Sequence, residues 1–264
     1  GTGKTPLVLW IANYLMEKGR LPGIISRGYG GKATADPRTV TPTTDPALAG
    51  DEPVLLAQLT ACPVVVAPNR YQAALHLLAH HPCDVLLSDD GLQHYRLPRD
   101  LELVILSETR CGNGYCLPAG PLRESARRLR TVTAVLTRGV PQVGEWALQL
   151  QPGAVWKLDD PTQCHPLAYW QGQTVYALAG IAYPERFFSL LRAAGLTVLA
   201  RPFPDHHRYT LADCQVPTPL PVFMTAKDAV KCTRLGLTTA WVVPVTAVLA
   251  ETFWAQLDQR LVLK

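Results

Sequence analysis

The sequence predicts an α/β protein: a parallel sheet with helices on both faces, followed by a second, smaller α/β domain. Three observations predict it. Short continuous apolar runs alternate with helix-like stretches, as in parallel sheets covered on both sides. A glycine-rich turn opens the chain and runs straight into an apolar helix. The alternation breaks off in a Pro-, Gly- and Trp-bearing stretch and then resumes.

Taken in order, residues 6–18 carry apolar side chains on most turns and stop at Gly19, a C-terminal helix signal. Apolar runs at 23–26, 63–67, 85–88, 101–106 and 134–137 predict strands, with helices at 54–59 and 71–79 between some of them. Residues 142–173 show short strand-like pieces such as 154–158 and no convincing helix. Beyond them, strands are predicted at 174–179, 198–200, 222–225 and 240–245, with helices at 184–194, 226–235 and 250–259. The expected division is a nucleotide-binding domain at 1–145, a β linker at 146–172 and a smaller C-terminal α/β domain at 173–264. No internal repeat or low-complexity tract interrupts it.

Composition narrows the function classes. The 264 residues are 48% hydrophobic and 17% charged, enough to bury a core. A net charge of +4 suits an anionic substrate or a membrane surface, and falls short of a nucleic-acid binder, so no nucleic-acid partner is expected. The seven cysteines form no CxxC pair, which fits free thiols in a reducing compartment. Cys111 and Cys116 lack the second pair that a zinc site would need. No apolar run approaches the ~18 residues of a membrane span.

Gly1-Thr2-Gly3-Lys4-Thr5 reads as the second half of G-x-x-x-x-G-K-[ST], a phosphate-binding loop. Backbone N–H groups and Lys4 would take phosphate oxygens at a helix N-terminus, and the Thr5 hydroxyl would take Mg²⁺. The fold class is thus P-loop NTPase-like, with a nucleoside triphosphate and Mg²⁺ as the expected cofactors. The natural protein is expected to begin further upstream, with the rest of the loop, its preceding strand and any membrane-anchoring segment.

Residues 83–90 form an apolar strand ending in Asp89 and Asp90, where P-loop enzymes hold Mg²⁺. An acidic turn is the alternative; the phosphate loop favours metal. His94 follows in the same loop, as a site residue or a structural histidine. Gly50-Asp51-Glu52-Pro53 places two acids at a helix start, as caps or as a base for an acceptor hydroxyl. Asp205, His206 and His207 lie in a polar loop of the second domain, where an Asp-His pair has no obvious packing purpose. Arg123, beside a Gly-Pro turn, and Arg127, Arg128 and Arg130 form a basic cluster suited to phosphate or an anionic head group, or to a solvated face. Residues 26–31, SRGYGG, make a glycine-rich loop of the kind that closes over a substrate.

Read in order, GTGKTP, SRGYGG, GDEP, SDDGLQHYRL, GNGYCLPAGPLRE, AGIAYPERFF, FPDHH and TAKDAVKC resemble the tetraacyldisaccharide 4′-kinase family, from Gly1 to about Cys232. The resemblance implies transfer of the ATP γ-phosphate to the 4′-hydroxyl of a lipid-linked disaccharide 1-phosphate. It implies a location at the cytoplasmic face of a bacterial inner membrane, with the membrane surface and the lipid as partners. It implies Lys4 and Thr5 for nucleotide and Mg²⁺, Asp89 and Asp90 for the metal region, and Asp51 as base with His206 as its partner. Glu52, Arg70, His94, Arg123, Glu124 and Asp205 match positions near the active site. Ala226 stands where the family usually has an acid, and Ala182-Tyr183 replaces a common Gly-Asn. A P-loop kinase of a soluble small molecule, or a GTP-dependent switch or metal-delivery protein, are the competing readings. Thr225-Ala226-Lys227-Asp228 has the wrong spacing for guanine recognition.

Overall fold

The structure is a computed structural model that describes residues 3–32, 36–216 and 219–262. The first half forms Lys4–Glu17 (α1), Pro22–Ser26 (β1), Arg38–Val40 (β2), Pro46–Ala49 (α2), Asp51–Leu59 (α3), Val64–Val66 (β3), Arg70–His80 (α4), Val85–Ser88 (β4), Leu103–Leu106 (β5) and Ala134–Thr137 (β6). Four short strands follow: Trp146–Ala147 (β7), Gln149–Pro152 (β8), Val155–Lys157 (β9) and Cys164–His165 (β10). The rest is Thr174–Ala179 (β11), Pro184–Ala193 (α5), Thr197–Pro202 (β12), Leu211–Cys214 (α6), Val222–Thr225 (β13), Ala226–Cys232 (α7), Ala240–Val243 (β14), Val245–Val248 (β15) and Glu251–Val262 (α8).

The first sheet has the order β2-β3-β1-β4, with β1 parallel to both β3 and β4 and β2 antiparallel at the edge. Because successive strand residues point to opposite faces, one apolar run covers two helix layers. Ile24, Val64 and Val66 join the core of α1 and α3, while Ile25 and Val65 pack on Ala73, Ala74 and Leu77 of α4. A separate parallel ladder, β5-β6-β7, lies in the same half.

The second sheet has the order β10-β9-β14-β13-β11-β12, parallel from β14 to β12. Val175, Ala177 and Phe223 face Phe187, Phe188 and Leu191 of α5, and Leu178, Val222 and Met224 face Ala229 and Cys232 of α7. Each fully buried Val, Leu, Met or Phe among them contributes about 1.5–3 kcal/mol. The strands expected at 85–88, 134–137, 174–179 and 222–225 coincide with β4, β6, β11 and β13.

Residues 146–172, read as a β linker, split between partners: β8 pairs with β15, whereas β9 and β10 extend the second sheet through antiparallel pairing. The helix expected at 250–259 is α8, whose Phe253, Trp254 and Leu257 pack on Leu7, Ile11 and Leu15 of α1. Trp254 stacks on Trp10 with ring centroids 3.4 Å apart. No helix among the described residues is long and apolar enough to cross a membrane.

Candidate active site

The phosphate-loop residues sit at the head of α1. Gly3 is its N-cap, with φ 100° in the left-handed region that favours glycine, and Lys4 and Thr5 occupy the first turn. The first-turn N–H groups have no helical acceptor and no acid caps them, which leaves an anion-accepting end. Gly1 and Thr2 lie outside the described residues.

Asp89 and Asp90 follow β4, a neighbour of β1 in the sheet, and their environments diverge sharply. Lys4 Nζ donates to Asp90 Oδ1 at 2.7 Å, and Arg123 donates to Asp90 Oδ2 at 3.0 Å. Partial burial opposes ionisation of Asp90, yet Lys4 and Arg123 hold it below the usual carboxylate range. Asp89 is 2% exposed and its Oδ1 has no hydrogen-bond partner. Burial, with the charge of Glu52 next, pushes Asp89 up to about 7. A carboxylate so poised takes a cation or a proton.

Three more candidates frame this pair. Arg70, 5% exposed at the start of α4, donates to the carbonyls of Ala67 and Pro68. Burial and the neighbouring Arg27 lower its pKa, with Asp90 and Asp89 opposing. Glu124 accepts from Gln93 at 2.9 Å and from the Tyr95 hydroxyl, and Arg123 also reaches Gln93, so residues 93–95 and 123–124 form one polar patch. His94 has a buried Nε2 without a partner, and burial together with Arg70, Arg96 and Arg99 lowers its pKa. Arg128 is bound to Glu102 at 2.5 Å and to Thr131, an anchoring role, while Arg127 and Arg130 are exposed.

Across from these residues, His206 Nδ1 lies 3.0 Å from Asp51 Oδ2, although 155 positions separate them in sequence. Asp51 is 7% exposed at the start of α3, and His206 has φ 59°, an uncommon backbone for a residue with a side chain. A shared hydrogen bond holds that conformation: the His206 N–H donates to the Gly180 carbonyl at 3.2 Å and to the Asp205 carboxylate Oδ1 at 3.0 Å. Gly50 sets the approach of α3. Its φ of 89° and ψ of 155° are glycine territory, and a Cβ there would sit 2.4 Å from the Tyr29 carbonyl. The SRGYGG loop thereby packs beside the site, with the Tyr29 ring 5.3 Å from that of His206.

Sequence reasoning missed two lysines on α7. Lys227 Nζ lies 3.3 Å from Glu52 Oε1, 3.4 Å from Asp205 Oδ1 and 3.5 Å from His206 Nε2. Lys231 Nζ, buried one helical turn later, is 3.8 Å from Asp51 Oδ2 and 2.9 Å from Asp228 Oδ1. The signal that could have found them is their i, i+4 spacing, which stacks both on one helix face.

The structure thus brings together a lysine at an uncapped helix head, two unequal carboxylates and a carboxylate–imidazole pair. The Tetraacyldisaccharide-1-P 4′-kinase family model, LpxK, matches residues 1–262. The chain belongs to this family. Among LpxK relatives, the tetraacyldisaccharide 4′-kinase of Nitrosococcus oceani is 51% identical over 97% of this chain and 76% of its own length. That of Pseudomonas aeruginosa is 45% identical over 99% of this chain and 80% of its own length. The crystal structure of LpxK from Aquifex aeolicus in complex with ATP superposes with a TM-score of 0.81 at 26% identity, covering 97% of this chain and 82% of that one. The fold is therefore that of the LpxK P-loop kinases.

Proposed function

We propose that the protein is a tetraacyldisaccharide 4′-kinase, transferring the γ-phosphate of ATP to the 4′-hydroxyl of tetraacyldisaccharide 1-phosphate to give lipid IVA in lipid A biosynthesis. The observation that carries this reading is the convergence of Lys4 on Asp90 at 2.7 Å within a chain whose residues 1–262 match the family model. In such transfers the protein's work is positioning and charge stabilisation rather than covalent chemistry.

In this reading Lys4 and the α1 N–H groups bind phosphate oxygens, and Arg123 approaches the same charge from the far side of Asp90. The residues present fit Mg²⁺: Asp89 keeps a buried oxygen without a partner, Asp90 adjoins it, and the Thr5 hydroxyl stands in the same turn as Lys4. No cluster of three or more His, Cys, Asp or Glu metal ligands occurs among the described residues, and Mg²⁺ with a nucleotide needs only one or two carboxylates. When bound, Mg²⁺ supplies neutralisation of phosphate charge. Asp51 accepts the proton of the acceptor hydroxyl, through Oδ1, since His206 and Lys231 both lie at Oδ2. His206 donates from Nδ1 and holds the carboxylate in orientation.

The sheets support a two-lobe reading in which residues 1–145 with β15 and α8 carry the nucleotide and residues 173–243 supply the histidine loop. Exposed Tyr115 and Leu117, in the turn closed by the Leu117 N–H to Leu122 O bond beside Arg123, support contact with an acylated substrate at the cytoplasmic face of the inner membrane. The test compares phosphate transfer to a lipid disaccharide 1-phosphate and to simple sugars, with Asp51→Ala and His206→Ala alongside. Each variant is expected to lose well over tenfold in turnover with ATP binding kept. Near-normal turnover in both removes the proton-transfer assignment, and preference for simple sugars removes the substrate.

A further inference from the structure

We propose that Lys227 is a positioning residue that fixes the tautomer of His206, leaving Nδ1 as the nitrogen that carries the ring proton to Asp51. The inference rests on the proton-transfer reading above and deepens it. An ammonium offers three donors and no acceptor, whereas a neutral imidazole has one of each. With Lys227 Nζ 3.5 Å from Nε2, that nitrogen serves as the acceptor, and the donor falls to Nδ1, 3.0 Å from Asp51 Oδ2. Without the lysine, the ring would stand between two carboxylates, because Asp205 Oδ2 lies 3.9 Å from Nε2. Either ring nitrogen could then serve as the donor. Lys227 blocks this by placing its own charge at Nε2 and by engaging Asp205 Oδ1 at 3.4 Å.

The local architecture holds the lysine there at some cost. A cation in the first turn of a helix opposes the helix dipole. Burial also disfavours the charge, but Glu52, Asp205 and Asp51 together raise the Lys227 pKa above its ordinary value. The first turn of α7 is fixed by Thr225, whose hydroxyl accepts from the Asp228 N–H at 3.1 Å and donates to Asp228 Oδ2 at 2.7 Å. Gly180 then ties this turn to the histidine loop: its N–H donates to Asp228 Oδ2 at 3.2 Å, and its carbonyl accepts from the His206 N–H at 3.2 Å. One glycine thus fixes the lysine and the imidazole relative to each other, and Lys231 on the same face secures Asp51.

The experiment is a double-mutant cycle on the full chain: Lys227→Met and Lys227→Arg, each alone and with His206→Ala, followed by steady-state kinetics with ATP, Mg²⁺ and lipid disaccharide 1-phosphate. Lys227→Met is expected to lower kcat about tenfold or more while the KM for ATP stays within about twofold. Lys227→Arg should recover most of that loss, and Lys227→Met should cost less than about twofold once His206 is already alanine. Nitrogen-15 NMR of wild-type protein should show Nε2 unprotonated and Nδ1 protonated. A full additional loss from Lys227→Met in the His206→Ala background, or a protonated Nε2 in the wild type, overturns the inference. If Lys227→Met fails to fold, Lys227→Arg and the wild-type spectrum decide. Loss in His206→Ala with none in Lys227→Met sinks the inference and leaves the proton-transfer reading standing; near-normal turnover in His206→Ala sinks the inference, and with near-normal turnover in Asp51→Ala as well it removes that reading too.

Discussion

Lys4 and Asp90 meet at 2.7 Å across 86 positions of sequence, so the lysine at the head of α1 is held on the carboxylate that Arg123 also binds. The pair is half-exposed, so its role in stability is small and its role in charge placement is the larger one. Asp90→Asn is expected to leave the thermal midpoint nearly unchanged and to lower kcat by about 10²-fold, the scale of removing one preorganised electrostatic group. Steady-state kinetics beside a melting curve checks both halves, and normal turnover would contradict the assignment.

Asp89 gives a pH signature. Its folded pKa, raised to about 7, exceeds the ordinary 3.8, so between these values the folded state holds a proton that the unfolded chain has released. Stability from this group is therefore greatest below about pH 4 and falls as pH rises towards 7, by on the order of a few kcal/mol. Asp89→Asn should abolish that slope in urea denaturation measured from pH 4 to 8. In the wild type, stabilisation by Mg²⁺ with ATP should grow across the same window, because the cation competes with the proton.

Glu145 predicts the opposite limb. Arg110 grips it with two bonds at 2.6 and 3.0 Å, and the Thr137 hydroxyl and the Gln142 N–H add two more. The Arg110 bonds chiefly, against some burial, bring its pKa down from 4.5 to about 2. Its contribution is complete above about pH 4.5 and disappears as pH falls to about 2. Glu145→Gln should cost about 1–3 kcal/mol at pH 7 and flatten the acid side of the stability profile, as read by denaturation at a series of pH values.

Gly50→Ala should be among the most damaging single-methyl changes in the chain. The backbone there is strained for any side chain by about 1–3 kcal/mol, and the added Cβ meets the fixed carbonyl of Tyr29 at 2.4 Å. We expect a lowered melting temperature and a displaced Asp51, hence a fall in kcat beyond what the stability loss explains. Alanine at Gly19, where a Cβ meets nothing within 4 Å, serves as the control for positive φ alone.

Much of the fold was legible because continuous apolar runs such as Val85–Ser88 and Val222–Thr225 permit few other readings than buried strands. Strands β8 and β10 were not, since two to four mostly exposed residues take their structure from partners far along the chain. At the site, Asp51, Asp89 and His206 could be named from motifs, but the contrast between Asp89 and Asp90 could not. It arises from burial and from Lys4 and Arg123, neither of which neighbours them in sequence. Lys227 escaped notice because a lysine in a short helix reads as a solvated face until Glu52 and Asp205 are seen around it.

The stacking of Trp254 on Trp10 has a reach beyond its own cluster. Trp10 belongs to the helix whose first residue is Lys4, and Tyr14 of that helix is bonded to Asp258 of α8 across 244 positions. Helix α8 is in effect a wedge behind the helix that carries Lys4. Unravelling α8 is expected to disturb the set of α1, and with it the position of Lys4, without touching any residue of the candidate site.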